Sequence, residues 1–304
     1  MKIQVTRQAT FTGHRDCVYT VAPGPTPTSF FSAGGDGLVV LWDLEKPDQG
    51  QLIAQLPTSV YALHYRPDLD LLLIGQNFEG IHAIRVKERQ EVKSVKITGA
   101  ALFDLQTAGD AVFAATGDGY LLRLDLRTLT VKKALQVNEK SARAIALHPT
   151  RSELAVGYSD HTIRILAPDS LEVLHTLDAH QNSVFTVQYT PDGRSLLSGS
   201  RDAHLKRWRV DRQYAFDQQV VAHMYAINHL TFSADGRYFA SASMDKSIKV
   251  WDAETLRLLK VIDRARHAGH GTSVNKLLWL PGDLPLVSAS DDRTLSVWQL
   301  DFFN

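Results

Sequence analysis

A single cysteine, Cys17, occurs in 304 residues. An internal disulfide is therefore impossible, and a structural zinc site built on cysteines is excluded. No apolar run approaches the roughly 18 residues of a membrane-spanning helix, and the N-terminal stretch MKIQVTRQATFTGH has no apolar signal core. No Asn-x-Ser/Thr acceptor is present. Neither sign of charge is in excess, with 33 Lys plus Arg against 33 Asp plus Glu, and no block of like charge occurs. Bulk electrostatic attraction to nucleic acid or to a membrane surface is thus not expected. Phosphate-cradling motifs are also missing: GGDG at 34–37 and TGDG at 116–119 precede strand patterns rather than helices. These absences lead to the expectation of a cytoplasmic protein without a cofactor, a nucleic-acid partner or a membrane partner.

What is present is a period. An acidic residue six positions before a Trp, or before its substitute, recurs at Asp36, Glu79, Asp118, Asp160, Asp202, Asp245 and Asp292, in steps of 39 to 47 residues. Six positions on stand Trp42, Arg85, Leu124, Leu166, Trp208, Trp251 and Trp298. In the first, fifth, sixth and seventh copies Ser32, Ser198, Ser241 and Ser288 lie four residues before the acid, and His14, His180, His223 and His270 lie 22 before it. Each copy also alternates apolar and polar residues as half-buried strands do. In the fifth copy Val184, Val187 and Tyr189 precede the turn PDGR at 191–194, and Leu196, Leu197, Leu205 and Trp208 follow. Asp-Gly suits a tight hairpin because glycine takes a positive φ without steric cost. The second and third copies lack Trp and His yet keep the rhythm, as Val60, Leu63, Tyr65 and as Ala100, Phe103, Leu105.

Through Gly-His at 13–14 and 269–270, Trp-Asp at 42–43 and 251–252, and this spacing, the sequence resembles the WD-repeat (WD40) family over essentially its whole length. The resemblance implies an all-β fold, a seven-bladed β-propeller of four-stranded antiparallel blades, in one domain spanning 1–304. The last copy ends one strand short, and an open blade would leave a row of unpaired backbone groups. The unassigned strand pattern Ile3 to Phe11 is expected to close the propeller by completing the last blade.

Ser, His and Asp are the residue types of a nucleophilic triad, but a hydrolase needs one triad with an oxyanion hole, not four copies each with a Trp. In the WD repeats that these resemble, the set forms a buried network in which the turn Asp holds His, His reaches Ser, and Ser reaches the Trp indole. The resemblance so assigns His14, Ser32, Asp36, Trp42, His180, Ser198, Asp202, Trp208, His223, Ser241, Asp245, Trp251, His270, Ser288, Asp292 and Trp298 to structure, with no catalytic residue. Copies two to four are expected to have fewer buried polar ties. His267 and His270 lack an evident third ligand, so no metal site is expected. Phe302 and Phe303 are expected to cap the underside of the last blade.

WD-repeat proteins of this kind are non-catalytic scaffolds that hold a peptide or protein segment, often on the top face of the propeller. In them the exposed positions of that face lie three and five residues after the repeat His and immediately before the Asp. Carried across, these offsets fall on Gly99, Ala101 and Gly117 in the third copy, and select Tyr19, Tyr61, Phe78, Arg143, Phe185, Arg201 and Met244 as partner-binding candidates. The alternatives are an architectural subunit that uses its rim or underside, and a propeller enzyme with a site at the channel mouth. The oligomeric state stays open, a monomer being the simpler expectation.

Overall fold

Alternation of apolar and polar residues, broken every six or so positions by a turn, produces short antiparallel strands joined in sequence order. The computed structural model describes residues 2–47, 49–282 and 285–303. The strands form seven four-stranded antiparallel sheets, the architecture of a seven-bladed β-propeller. The fifth sheet shows the plan: Val184–Tyr189, Ser195–Ser200, His204–Arg209 and Ala215–Val221 pair in that order. Its second strand is buried throughout, whereas its fourth is exposed or half-buried. In the turn between the first two strands the Asp192 carboxylate accepts from Thr190 Oγ1 (2.6 Å) and from the Arg194 N–H (3.0 Å), and Gly193 takes φ 70°. The side chain thus satisfies backbone that the reversal leaves unpaired.

Two compact units divide the chain. Residues 1–60 and 228–304 make the first, with the first, sixth and seventh sheets; residues 61–227 make the second, with sheets two to five. The seventh sheet has the order Lys2–Phe11, Leu295–Phe303, Leu286–Ser290, Val274–Trp279, so the N-terminal strand supplies its fourth member. Ile3 enters one apolar cluster with Trp298 and Leu300, and Phe11 enters another with Phe30 and Trp42. Phe11 meets both of those rings edge-on, at centroid separations of 5.4 and 5.3 Å. At the other terminus Phe302 stacks on Tyr238 at 4.1 Å, whereas Phe303 is 49% exposed. The long last step of the repeat is taken up by one helical turn, Arg264–His267, in which the Arg266 N–H donates to the capping Asp263 side chain.

Turn geometry corrects the repeat register in the second sheet. In six copies the residue after the turn Asp takes a positive φ: Gly37, Gly119, His161, Ala203, Lys246 and Arg293. In the second sheet pairing sets Gly75 opposite Ile81 as it sets Gly199 opposite Leu205, so Phe78 (φ 66°), not Glu79, stands where the other copies have Asp. The turn has the same length as in the fifth sheet, and pairing places Ile84 opposite Leu72 just as Trp208 lies opposite Leu196. Ile84, not Arg85, therefore takes the Trp place; Ile84 is buried and Arg85 exposed. Glu79 is left on the surface, 3.9 Å from Lys96.

Candidate interaction site

The His, Ser, Asp and Trp side chains come together within their sheets. Trp is a donor only, so in the first sheet Trp42 Nε1–H donates to Ser32 Oγ (2.7 Å), which lies 2.7 Å from His14 Nε2. His14 Nδ1 lies 3.0 Å from the Asp36 carboxylate, which also accepts the Arg15 N–H. The same relay runs Trp208, Ser198, His180, Asp202, with steps of 3.0, 2.8 and 3.0 Å, and Trp298, Ser288, His270, Asp292, with steps of 2.8, 2.8 and 2.9 Å. In the sixth sheet Trp251 donates to Ser241 (2.8 Å), while Asp245 accepts from Ser247; His223 is buried. Burial lowers the pKa of His180, with Asp202 opposing, which favours the neutral ring that such a relay needs. Ser32, Ser198 and Ser288 are fully buried, so none offers a nucleophile to solvent.

Copies two to four do not forgo polar ties; they build them from other residues. Asp118 accepts from Thr98 Oγ1 (2.8 Å) and from Thr116 Oγ1. Asp160 accepts from Asn138, which stands where the other copies have His, from Thr162 (2.7 Å) and from the buried Arg164 (2.7 Å). Burial would raise the Asp160 pKa, but these donors, Arg164 foremost, bring it down to about 2. In the second sheet His82 Nε2 lies 2.8 Å from Gln76 and its Nδ1 3.1 Å from Glu91.

A second set of residues converges for a different reason. In the first strand of five sheets the pairing register slips by one residue, between Val18 and Thr20, Leu102 and Asp104, Ala142 and Ala144, Val184 and Thr186, and Val274 and Lys276. The skipped residues are Tyr19, Phe103, Arg143, Phe185 and Asn275. Each is a β-bulge, which re-aims one side chain out of the alternation. Tyr61 holds the same second place in Val60–Arg66.

In the second unit these side chains form a row across adjacent sheets. Tyr61 lies 5.7 Å from Phe103, ring to ring, and the Arg143 guanidinium carbon lies 4.1 Å from the Phe103 centroid and 4.6 Å from that of Phe185. All four are half-buried. Of the residues selected from sequence, the structure thus brings together Tyr61, Arg143 and Phe185, with the exposed Arg201 acting on Arg143 through its charge. Phe78 is 54% exposed in the turn; the place matching Arg201 belongs to the buried Asn77. Tyr19 and Met244 belong to the first unit, Tyr19 half-buried at its bulge and Met244 50% exposed in a turn.

Phe103 was missed because Ala100 served as the strand anchor in place of Leu102, which moved the third copy's positions from Ala101 and Phe103 to Gly99 and Ala101. The spacing of buried residues contains the correction. Leu102 and Leu105 are three apart, as are Val18 and Val21, Ala142 and Ile145, and Val184 and Val187. A bulge accounts for three where a regular strand has two.

Comparison with known proteins agrees with this geometry. The family model "WD domain, G-beta repeat" matches residues 5–43, 171–209, 216–252 and 263–299, together half of the chain. The chain belongs to the WD40 family. Those four matches cover the copies that carry Trp, Ser, His and Asp. Human striatin-3 is 24% identical over 70% of this chain and 23% of its own length, and a WD repeat-containing protein of Schizosaccharomyces pombe is 24% identical over 96% and 48%. Drosophila melanogaster protein groucho is 24% identical over 62% of this chain and 27% of its own. The chain thus spans from 23% to 48% of the length of these relatives. The WD40 β-propeller domain of Doa1, a crystal structure, superposes with a TM-score of 0.85 at 17% identity, covering 97% of this chain and 96% of that one.

Proposed function

We propose that this WD40 protein is a non-catalytic interaction scaffold that holds a protein segment on its top face, at the row formed by Tyr61, Phe103, Arg143 and Phe185. The observation that carries this reading is the row itself: three aromatic rings and a guanidinium, set by bulges on neighbouring sheets and only half-covered. Aromatic and arginine side chains dominate binding hot spots because each combines a large rigid contact with a polar or charged tip. The non-catalytic part is supported by the buried serines of the relay and by family membership. Apolar side chains on the fourth strands, such as Leu174 and Phe216, are 42% and 53% exposed and would serve a subunit packed by its rim, but scattered exposed apolar residues are ordinary on soluble domains.

The test is affinity capture from extract of the source cell with the full chain, compared with the triple variant Tyr61→Ala, Phe103→Ala, Phe185→Ala. The expected outcome is selective loss of the captured protein with the fold intact by circular dichroism. A variant that retains every partner of the wild type would move the binding surface elsewhere.

A further inference from the structure

Two arginines of the second unit lie against aromatic rings, and they differ in one respect. Arg164 lies 4.5 Å from the Tyr158 centroid and is neutralised from within the fold by Asp160 at 2.7 Å. Arg143 lies against two rings, one from the third sheet and one from the fifth, and has no such partner: among the described residues no carboxylate pairs with it and none of its N–H groups donates a hydrogen bond. Asp104 does reach this strand, but its two oxygens accept the backbone N–H groups of Leu105 (2.9 Å) and Ile145 (2.8 Å). The side chains whose charge acts on Arg143 are Tyr61 and Arg201, the second of like sign. Burial lowers its pKa, and Arg201 adds to the fall.

A half-buried cation without a counter-ion is costly unless something supplies the charge. The two rings contact the guanidinium without taking a hydrogen bond from it, so its N–H groups are left to a ligand. We propose that Arg143 is a carboxylate receptor, taking an Asp or Glu side chain of the bound segment in a bidentate pair. This rests on the reading of the row as the segment-binding surface. A carboxylate matches the planar guanidinium fork with two parallel hydrogen bonds, and its single charge balances the single cation. Phe103 and Phe185 fix the guanidinium beforehand, so little rotamer entropy is lost on binding.

The experiment selects random linear peptides displayed on phage against the immobilised full chain. Enrichment of Asp or Glu at one position of the selected sequences is expected. Replacing that acid by its amide should weaken the synthetic peptide by about 10- to 100-fold. Arg143→Gln should remove the acid preference and keep the apolar preferences, and Arg143→Lys should restore part of the affinity. Peptides that are lost on the triple aromatic variant but show no acid preference would overturn the carboxylate receptor and leave the surface standing. Peptides indifferent to both variants, or no selected peptide at all, would overturn both. A phosphoserine in place of the acid that binds tighter than the carboxylate would overturn the choice of carboxylate.

Discussion

In the first unit every sheet joins its third strand to its second through an indole: Trp42 to Ser32, Trp251 to Ser241 and Trp298 to Ser288. In the second unit only Trp208 does so, and Ile84, Leu124 and Leu166 fill the same place with no hydrogen bond to give. Two residues at the second place of first strands in the first unit are held by the fold. Asn275 donates to the Val18 carbonyl (2.9 Å) and to Asp291 (2.7 Å), and Asn228 donates to the Val274 carbonyl (2.8 Å), so these polar groups are spent in tying one sheet to the next. The second unit puts Tyr61, Phe103, Arg143 and Phe185 in those places. Where polar capacity is consumed by the fold, little is left to offer a ligand; where it is not, a surface for recognition remains.

Deleting residues 1–10 should do the most damage. The seventh sheet would lose the strand that pairs with Leu295–Phe303 and takes Ile3 into the core. Loss of the cooperative thermal transition is expected by calorimetry; an unchanged melting temperature would refute the role given to this strand. Next comes Trp298→Ala, which empties the place of a fully buried indole and leaves Ser288 without its donor. It should cost about 3–5 kcal/mol, and Leu124→Ala, at the same place in the second unit, about 2–4 kcal/mol, both read from urea unfolding. Equal costs would mean that the relay adds nothing beyond packing.

Acid should separate the sheets further. Burial, with Arg66 adding, pushes the His64 pKa down to about 4, so the folded ring stays neutral where the unfolded one, near 6.5, takes a proton. The unfolded state then binds more protons between those values, and stability falls as the pH drops from about 6.5 to 4. Asp160, held at about 2, contributes stability that is present above the usual carboxylate pKa and is lost only as the pH falls from about 4 to 2. Amides of the second sheet should therefore lose exchange protection at a higher pH than those of the fourth, and His64→Gln should lessen the first fall. The smallest effect is expected from Phe78→Gly. The residue sits at φ 66°, a conformation that glycine takes without steric cost, so relief of strain should add about 1 kcal/mol of stability. Capture of the partner should weaken only if Phe78 reaches it.

Much of this was legible without coordinates. The repeat period, the Trp, Ser, His and Asp sets of four copies, and the strand at Ile3 to Phe11 follow from spacing, because a regular hairpin places equivalent residues at constant offsets. Where offsets change, spacing misleads. In the second copy the acid, Glu79, lies one place beyond the turn position that Asp holds elsewhere, which displaces that copy by one residue, and the bulge after Leu102 hides Phe103. The substitute ties were illegible for a related reason: Thr98, Asn138 and Arg164 stand 20 and 22 residues before and four after their acids, offsets that only a folded turn brings within 3 Å.

The sequence by itself determined that this chain forms seven similar sheets, with the first strand completing the last, since periodic burial and turn chemistry are local and repeat along the chain. Only the tertiary structure decided that Arg143 meets Phe103 and Phe185. These residues are about 40 positions apart in the chain, and their meeting depends on bulges that turn each side chain out of its strand toward the neighbouring sheet.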